Sequence, residues 1–105
     1  MSLWIGVARC SMRLQFAGSL KDRRHIVRSL IEGAHSRFNV SSSDLGPKDI
    51  WQQACLGFAA VGSSHAELEE RLENLKKFLY QRESCGEFEV VDFVREVFSY
   101  ADLSD

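Results

Sequence analysis

The sequence is poor in residues that break or staple a chain. Proline occurs once and glycine seven times in 105 residues, which leaves no compositional case for disorder. The three cysteines, Cys10, Cys55 and Cys85, are odd in number and widely spaced, and none forms a C-x-x-C pair. Neither a disulfide framework nor a zinc knuckle is therefore expected. No apolar run reaches the roughly 18 residues of a membrane-spanning helix. Met1–Arg9 has no basic leader ahead of its apolar stretch, unlike a secretory signal. These absences predict a cytoplasmic chain that does not enter a membrane.

Catalytic signatures are missing as well. There is no G-x-S-x-G, no H-E-x-x-H, no G-x-x-x-x-G-K-[ST] and no G-x-G-x-x-G, so the common nucleophile, zinc and nucleotide motifs are excluded. His25, His35 and His65 stand apart from metal-ligand spacing, and neither a metal nor a cofactor is expected.

What is present is ordinary for a globular chain: 45% hydrophobic and 27% charged residues. The length suits one domain over residues 1–105, with its core in about 3–98. The net charge of −2 conceals an asymmetry. Residues 1–50 carry eight Lys/Arg against four Asp/Glu, whereas residues 51–105 carry five against eleven. Such a split can steer an anionic partner to one surface. It equally suits attraction between the halves, within the fold or between subunits.

Periodicity supplies the elements. Leu3–Phe16 alternates, with Trp4, Gly6, Ala8, Cys10, Met12, Leu14 and Phe16 on one side and Arg9 and Arg13 on the other. This is a strand whose even positions lie under a covering layer. Ser19, with Asp22 three residues on, opens a capped helix over about 19–37, and Leu20, Val27, Leu30, Ile31, Ala34 and Phe38 form its apolar stripe. Residues 39–43 suit an edge strand. Ile50–Val61 reads as a long strand, a second helix spans about 65–81 on Leu68, Leu72, Leu75 and Leu79, and Glu87–Phe98 is the last strand. The polar tail, Ser99–Asp105, is expected to be loose. The order β-α-β-β-α-β predicts an α+β, ferredoxin-like βαββαβ sandwich: a four-stranded sheet with two helices on one face.

Two surfaces stand out. The first turns of helix one carry Lys21, Arg23, Arg24, His25 and Arg28 against only Asp22. Cations there oppose the helix dipole, so folding alone does not favour them, whereas a bound anion does. A solvated face is the plain alternative. The sheet face away from the helices should expose Ile5, Val7, Trp51 and Val61, with some of Val91, Phe93 and Val97, an apolar patch that favours self-association.

Ser19-Leu20-Lys21-Asp22-Arg23-Arg24-His25-Ile26-Val27-Arg28-Ser29-Leu30-Ile31, then Arg37-Phe38-Asn39-Val40-Ser41, then Asp49-Ile50-Trp51-Gln52-Gln53-Ala54 with Leu56-Gly57, resemble the YlxP-like family of small bacterial proteins of unknown function. The resemblance covers residues 3–98. It implies the ferredoxin-like fold and a role near RNA or ribosome maturation, with no catalytic residues to carry over.

The resulting expectation is a non-enzymatic module that binds RNA or a ribosomal particle. Lys21, Arg23, Arg24 and Arg28 would contact phosphates, and Arg9 and Arg13 would form a second patch across the sheet. The alternative is a protein-interaction or homo-oligomeric module, most simply a dimer through Ile5, Val7, Trp51 and Val61. A third reading is by fold analogy only: an acylphosphatase-like hydrolase that cradles phosphate at Ala17-Gly18-Ser19.

Overall fold

The computed structural model describes residues 1–100. The elements are β1 (Trp4–Arg13), α1 (Leu20–Phe38), β2 (Ser41–Gly46), β3 (Gln53–Gly62), α2 (His65–Glu83) and β4 (Glu89–Ser99). The strands form one sheet in the order β2-β3-β1-β4, and every neighbouring pair is antiparallel. Both helices cover the same face, which gives the ferredoxin-like α+β sandwich.

Alternation along β1 and β3 decides which face the helices cover. Ala8, Cys10, Met12 and Leu14 are buried with Ala54, Leu56, Phe58 and Ala60 against Ile26, Val27 and Leu30 of α1 and Leu68, Leu72, Leu75 and Leu79 of α2. Each fully buried leucine stabilises the fold by about 2 kcal/mol. Arg9 and Arg13 project from the opposite face and are exposed. The helices approach closely where side chains are small. A Cβ on Gly33 of α1 would lie 2.8 Å from Phe78 Cζ of α2, and that ring is held edge-to-face by Phe38 at 5.5 Å.

Both helices start as capping chemistry dictates. The hydroxyls of Ser19 and Ser64 accept from the backbone N–H groups of Asp22 and Glu67. Asn39 ends α1 in the left-handed region at φ 52°, a conformation its short polar side chain tolerates.

Several boundaries differ from the sequence expectation. Phe16, expected on the covered face, is 79% exposed, because β1 ends at Arg13 and a turn bonds Ala17 N–H to the Leu14 carbonyl. The second strand begins at Ser41 and continues through Asp44 to Gly46. Ile50 and Trp51, expected in β3, lie in the turn before it and are exposed. Trp51 is therefore not part of the open sheet face. On β4 a register shift opposite Ser11 and Met12 reverses the alternation. Phe93 and Val97 then pack on the helix side, and Val94 and Phe98 take the open side. A one-residue bulge moves every later side chain to the other face. The tail expected to be loose falls largely in residues 101–105, outside the described residues.

Candidate nucleic-acid interface

The basic residues of α1 divide between its two sides. Arg23 is only 4% exposed. Its guanidinium grips Asp44 of β2 through Nη1 at 2.7 Å and Nη2 at 3.0 Å, and its Nε donates to the Gln53 carbonyl at 2.8 Å. All three nitrogens are occupied, so Arg23 ties α1 to β2 and β3 and is withdrawn from the expected phosphate-contacting set. The same contacts explain Asp44. The hydrogen bond from Arg23 holds its carboxyl below the usual carboxylate range, with the Gly46 N–H assisting.

Lys21, Arg24 and Arg28 are exposed. Their spacing of three and then four residues puts them on one outward stripe of the helix. Among the described residues, no carboxylate lies within ion-pair distance of any of the three. Of the arginines outside this stripe and Arg23, Arg13 pairs with Glu89, Arg71 with Glu67, and Arg95 with Glu69 and Glu73, whereas Arg37 and Arg82 lie over the Phe78 ring and Arg9 forms no ion pair among the described residues. The ridge is thus a row of cations that the fold does not neutralise.

A cleft of about 510 Å³ runs along the flank of α1 between the helix and the end of β2. Leu20, Val27 and Ile31 supply its apolar wall, the Arg23–Asp44 pair lies in its lining, and Lys48 joins Arg24, Arg28 and Glu32 around it. Lys48 and Glu32 were not singled out from the sequence. Lys48 follows the Gly-Pro turn, and nothing local indicates that this turn comes back against α1.

Arg9 and Arg13 lie on the far side of the sheet. Arg9 is exposed between Gly57 of β3 and Val94 of β4, and Arg13 reaches Glu89 at 3.5 Å. They share no surface with the α1 ridge. Around Arg9 the open face holds the half-buried Ile5 and Val7 and the exposed Val61 and Val94. Leu45 leans over Gly57, where a Cβ would meet its Cδ1 at 3.0 Å.

The turn between β1 and α1 uses part of its donors internally. The Gly18 N–H donates to the Asp22 carboxylate at 3.0 Å, and the Asp22 N–H donates to Ser19 Oγ. Arg23 is turned inward to Asp44, and the Ala17, Gly18 and Asp22 N–H groups are engaged within the turn. No group of three or more potential metal ligands is found among the described residues. His35 sits 3.2 Å from the Val40 carbonyl, and His65 packs edge-on against Trp4. Cys10 is buried, and burial pushes its thiol up to about 12, which makes it a poor nucleophile.

Comparison with known proteins agrees with this picture of fold without assigned chemistry. A family described as "Protein of unknown function (DUF503)" matches residues 5–95, a span that contains all three motifs noted in the sequence. The "Uncharacterized protein YlxP" of Bacillus subtilis (strain 168) is 37% identical over 75 residues, which is 71% of this chain and 82% of that protein.

Proposed function

The chain belongs to this family of unknown function, and we propose that it is a non-enzymatic module that binds RNA, or an RNA-containing particle, through the exposed ridge of α1. The observation that carries the reading is that Lys21, Arg24 and Arg28 stand exposed on one stripe of a single helix with no ion pair among the described residues, beside an Arg23 that is paired and buried. Lys21, in the first turn of α1, costs a few tenths of a kcal/mol against the dipole, and Arg24 and Arg28 lie beyond that turn, where the cost fades. The three gain no ion pair within the fold among the described residues, whereas a polyanion complements them. Contacts of this type hold a phosphate backbone without reading bases. The acidic second half of the chain repels nucleic acid and confines the footprint to α1. The occupied donors around Ser19 and the absence of catalytic motifs support a binding role over a hydrolase.

With Lys48 added, about four phosphates are neutralised, so log affinity for single-stranded RNA should fall with log salt at a slope of roughly −3. Replacing Arg24 and Arg28 by alanine should weaken binding to all sequences alike and flatten the slope by about 1.4. Arg23 is not a fair target, because its loss damages the fold. Binding that survives ribonuclease, together with no affinity for isolated RNA, would refute the reading in favour of an acidic protein partner at the same ridge.

Self-association is part of the proposal. The apolar sheet face around Ile5, Val7 and Val61 lies opposite α1, so a two-fold dimer through it leaves both ridges accessible. Trp51, also expected in this interface, stands exposed in the turn before β3.

A further inference from the structure

The cleft beside the ridge has a chemistry that phosphate binding alone does not explain. Its size, about 510 Å³, falls within the range of small-ligand sites. Leu20 and Ile31, over the buried Val27, give it an apolar wall. Arg24 and Arg28 border it from α1, and Lys48 approaches from the turn after β2. Among these cations stands one carboxylate, Glu32, which forms no ion pair among the described residues. The other lining carboxylate, Asp44, is committed to Arg23 through both oxygens. A surface built only for phosphate gains nothing from Glu32, since an acid lowers the positive potential there. An ionised carboxylate only accepts hydrogen bonds, so it suits a ligand that presents N–H groups.

We infer that this cleft takes one unstacked guanine of the bound strand, with the flanking phosphates on Arg24, Arg28 and Lys48 and the base edge donating to Glu32. The inference rests on the RNA reading of the ridge. Bases splayed out of single strands are recognised through their Watson–Crick edges and by packing on side chains and guanidinium planes. Guanine offers two adjacent donors, N1–H and N2–H, which match the two oxygens of a carboxylate. Adenine and cytosine put a ring acceptor beside their amino group, and uracil sets a single N–H between two carbonyls. Each of those edges brings a lone pair toward Glu32. The ridge thereby supplies affinity without sequence, and the cleft supplies a single-base preference.

The test uses two fluorescein-labelled RNA octamers, one all uridine and one with a single central guanosine, titrated by anisotropy over a range of salt. The guanosine octamer should bind about tenfold tighter, a preference in keeping with paired charge-assisted hydrogen bonds, and both octamers should show the same salt slope. Glu32→Gln should remove most of the preference and, because it takes away a negative charge beside Arg24, Arg28 and Lys48, should tighten rather than weaken binding of the all-uridine octamer. Ile31→Ser should weaken the guanosine octamer more than the all-uridine one, with a thermal melt to verify that the variant is folded. Equal affinities at a slope near −3 overturn the cleft assignment and leave the ridge intact. A guanosine preference that persists in Glu32→Gln also overturns it. Absence of binding to either octamer overturns both readings.

Discussion

Replacing Arg23 by alanine should cost about 3 kcal/mol of folding stability. Removing one partner of a buried ion pair typically costs 3–5 kcal/mol, because the other charge is left desolvated and unpaired. Here Arg23 is 4% exposed, but the Asp44 side chain retains 20% exposure, so water reaches the stranded carboxylate and moves the cost to the low end. The Gln53 carbonyl, which loses its 2.8 Å bond to Nε, accounts for about 1 kcal/mol of that total. In a domain of this size about 3 kcal/mol lowers Tm by roughly 12–24 °C. Removing both partners, as in Arg23→Met with Asp44→Leu, should cost less than the sum of the single changes, since no lone charge remains. Thermal and urea unfolding of the two single variants and the double variant measure this directly. An Arg23→Ala loss below about 0.5 kcal/mol, the scale of ordinary surface changes, would mean that the pair is solvated and that Arg23 is free to serve the ridge. The pH dependence follows from the same contact. The Asp44 carboxyl is held below its ordinary value in the folded protein, so its stabilising contribution is complete above the unfolded pKa of about 3.9. That contribution is lost as pH falls through the folded value. Asp44→Asn should therefore flatten the acid limb of the stability curve below about pH 4.

Other perturbations test the packing and the surfaces. Gly33→Ala sets a methyl 2.8 Å from a Phe78 ring that Phe38 holds in place. It should lower the urea midpoint by the equivalent of about 1–3 kcal/mol, the usual cost of overpacking; an unchanged midpoint would show that the helices separate freely. Cys85, exposed in the turn after α2, should react with a thiol reagent in the native protein, whereas Cys10 should react only on unfolding; equal rates would contradict the burial of β1. Sedimentation at micromolar concentration should give a dimer that Val61→Asp converts to a monomer, and a wild-type monomer would remove the sheet-face interface.

The sequence alone determined much of the architecture, because the physics that writes it is local. Side-chain alternation in β1 separates Arg9 and Arg13 from Ala8, Cys10 and Met12, and helical spacing in α2 lines up Leu68, Leu72, Leu75 and Leu79. Ser19 and Ser64 mark both helix starts, because an N-cap needs only a hydroxyl and the next turn of backbone. Positions set by contacts distant in sequence were not legible. The fate of Arg23 depends on Asp44, 21 residues away across the α1–β2 connection. Helical spacing sets Arg23 four residues before Val27 and seven before Leu30, on the buried stripe and away from Lys21, Arg24 and Arg28, but only the tertiary partner shows that a cation there is held by an ion pair. The bulge in β4 is equally silent in a run of Val90, Val91, Phe93 and Val94, where apolar residues on both faces erase the alternation that would reveal a slip. Trp51 moved from strand to turn because β3 pairs only as far as the Arg13–Gln53 step, a limit set by where β1 ends. The cleft exists only because the Gly46-Pro47-Lys48 turn returns against α1. Charge and periodicity thus marked the helix that bears the ridge, and packing selected Lys21, Arg24 and Arg28 as the cations that remain unpaired on its surface.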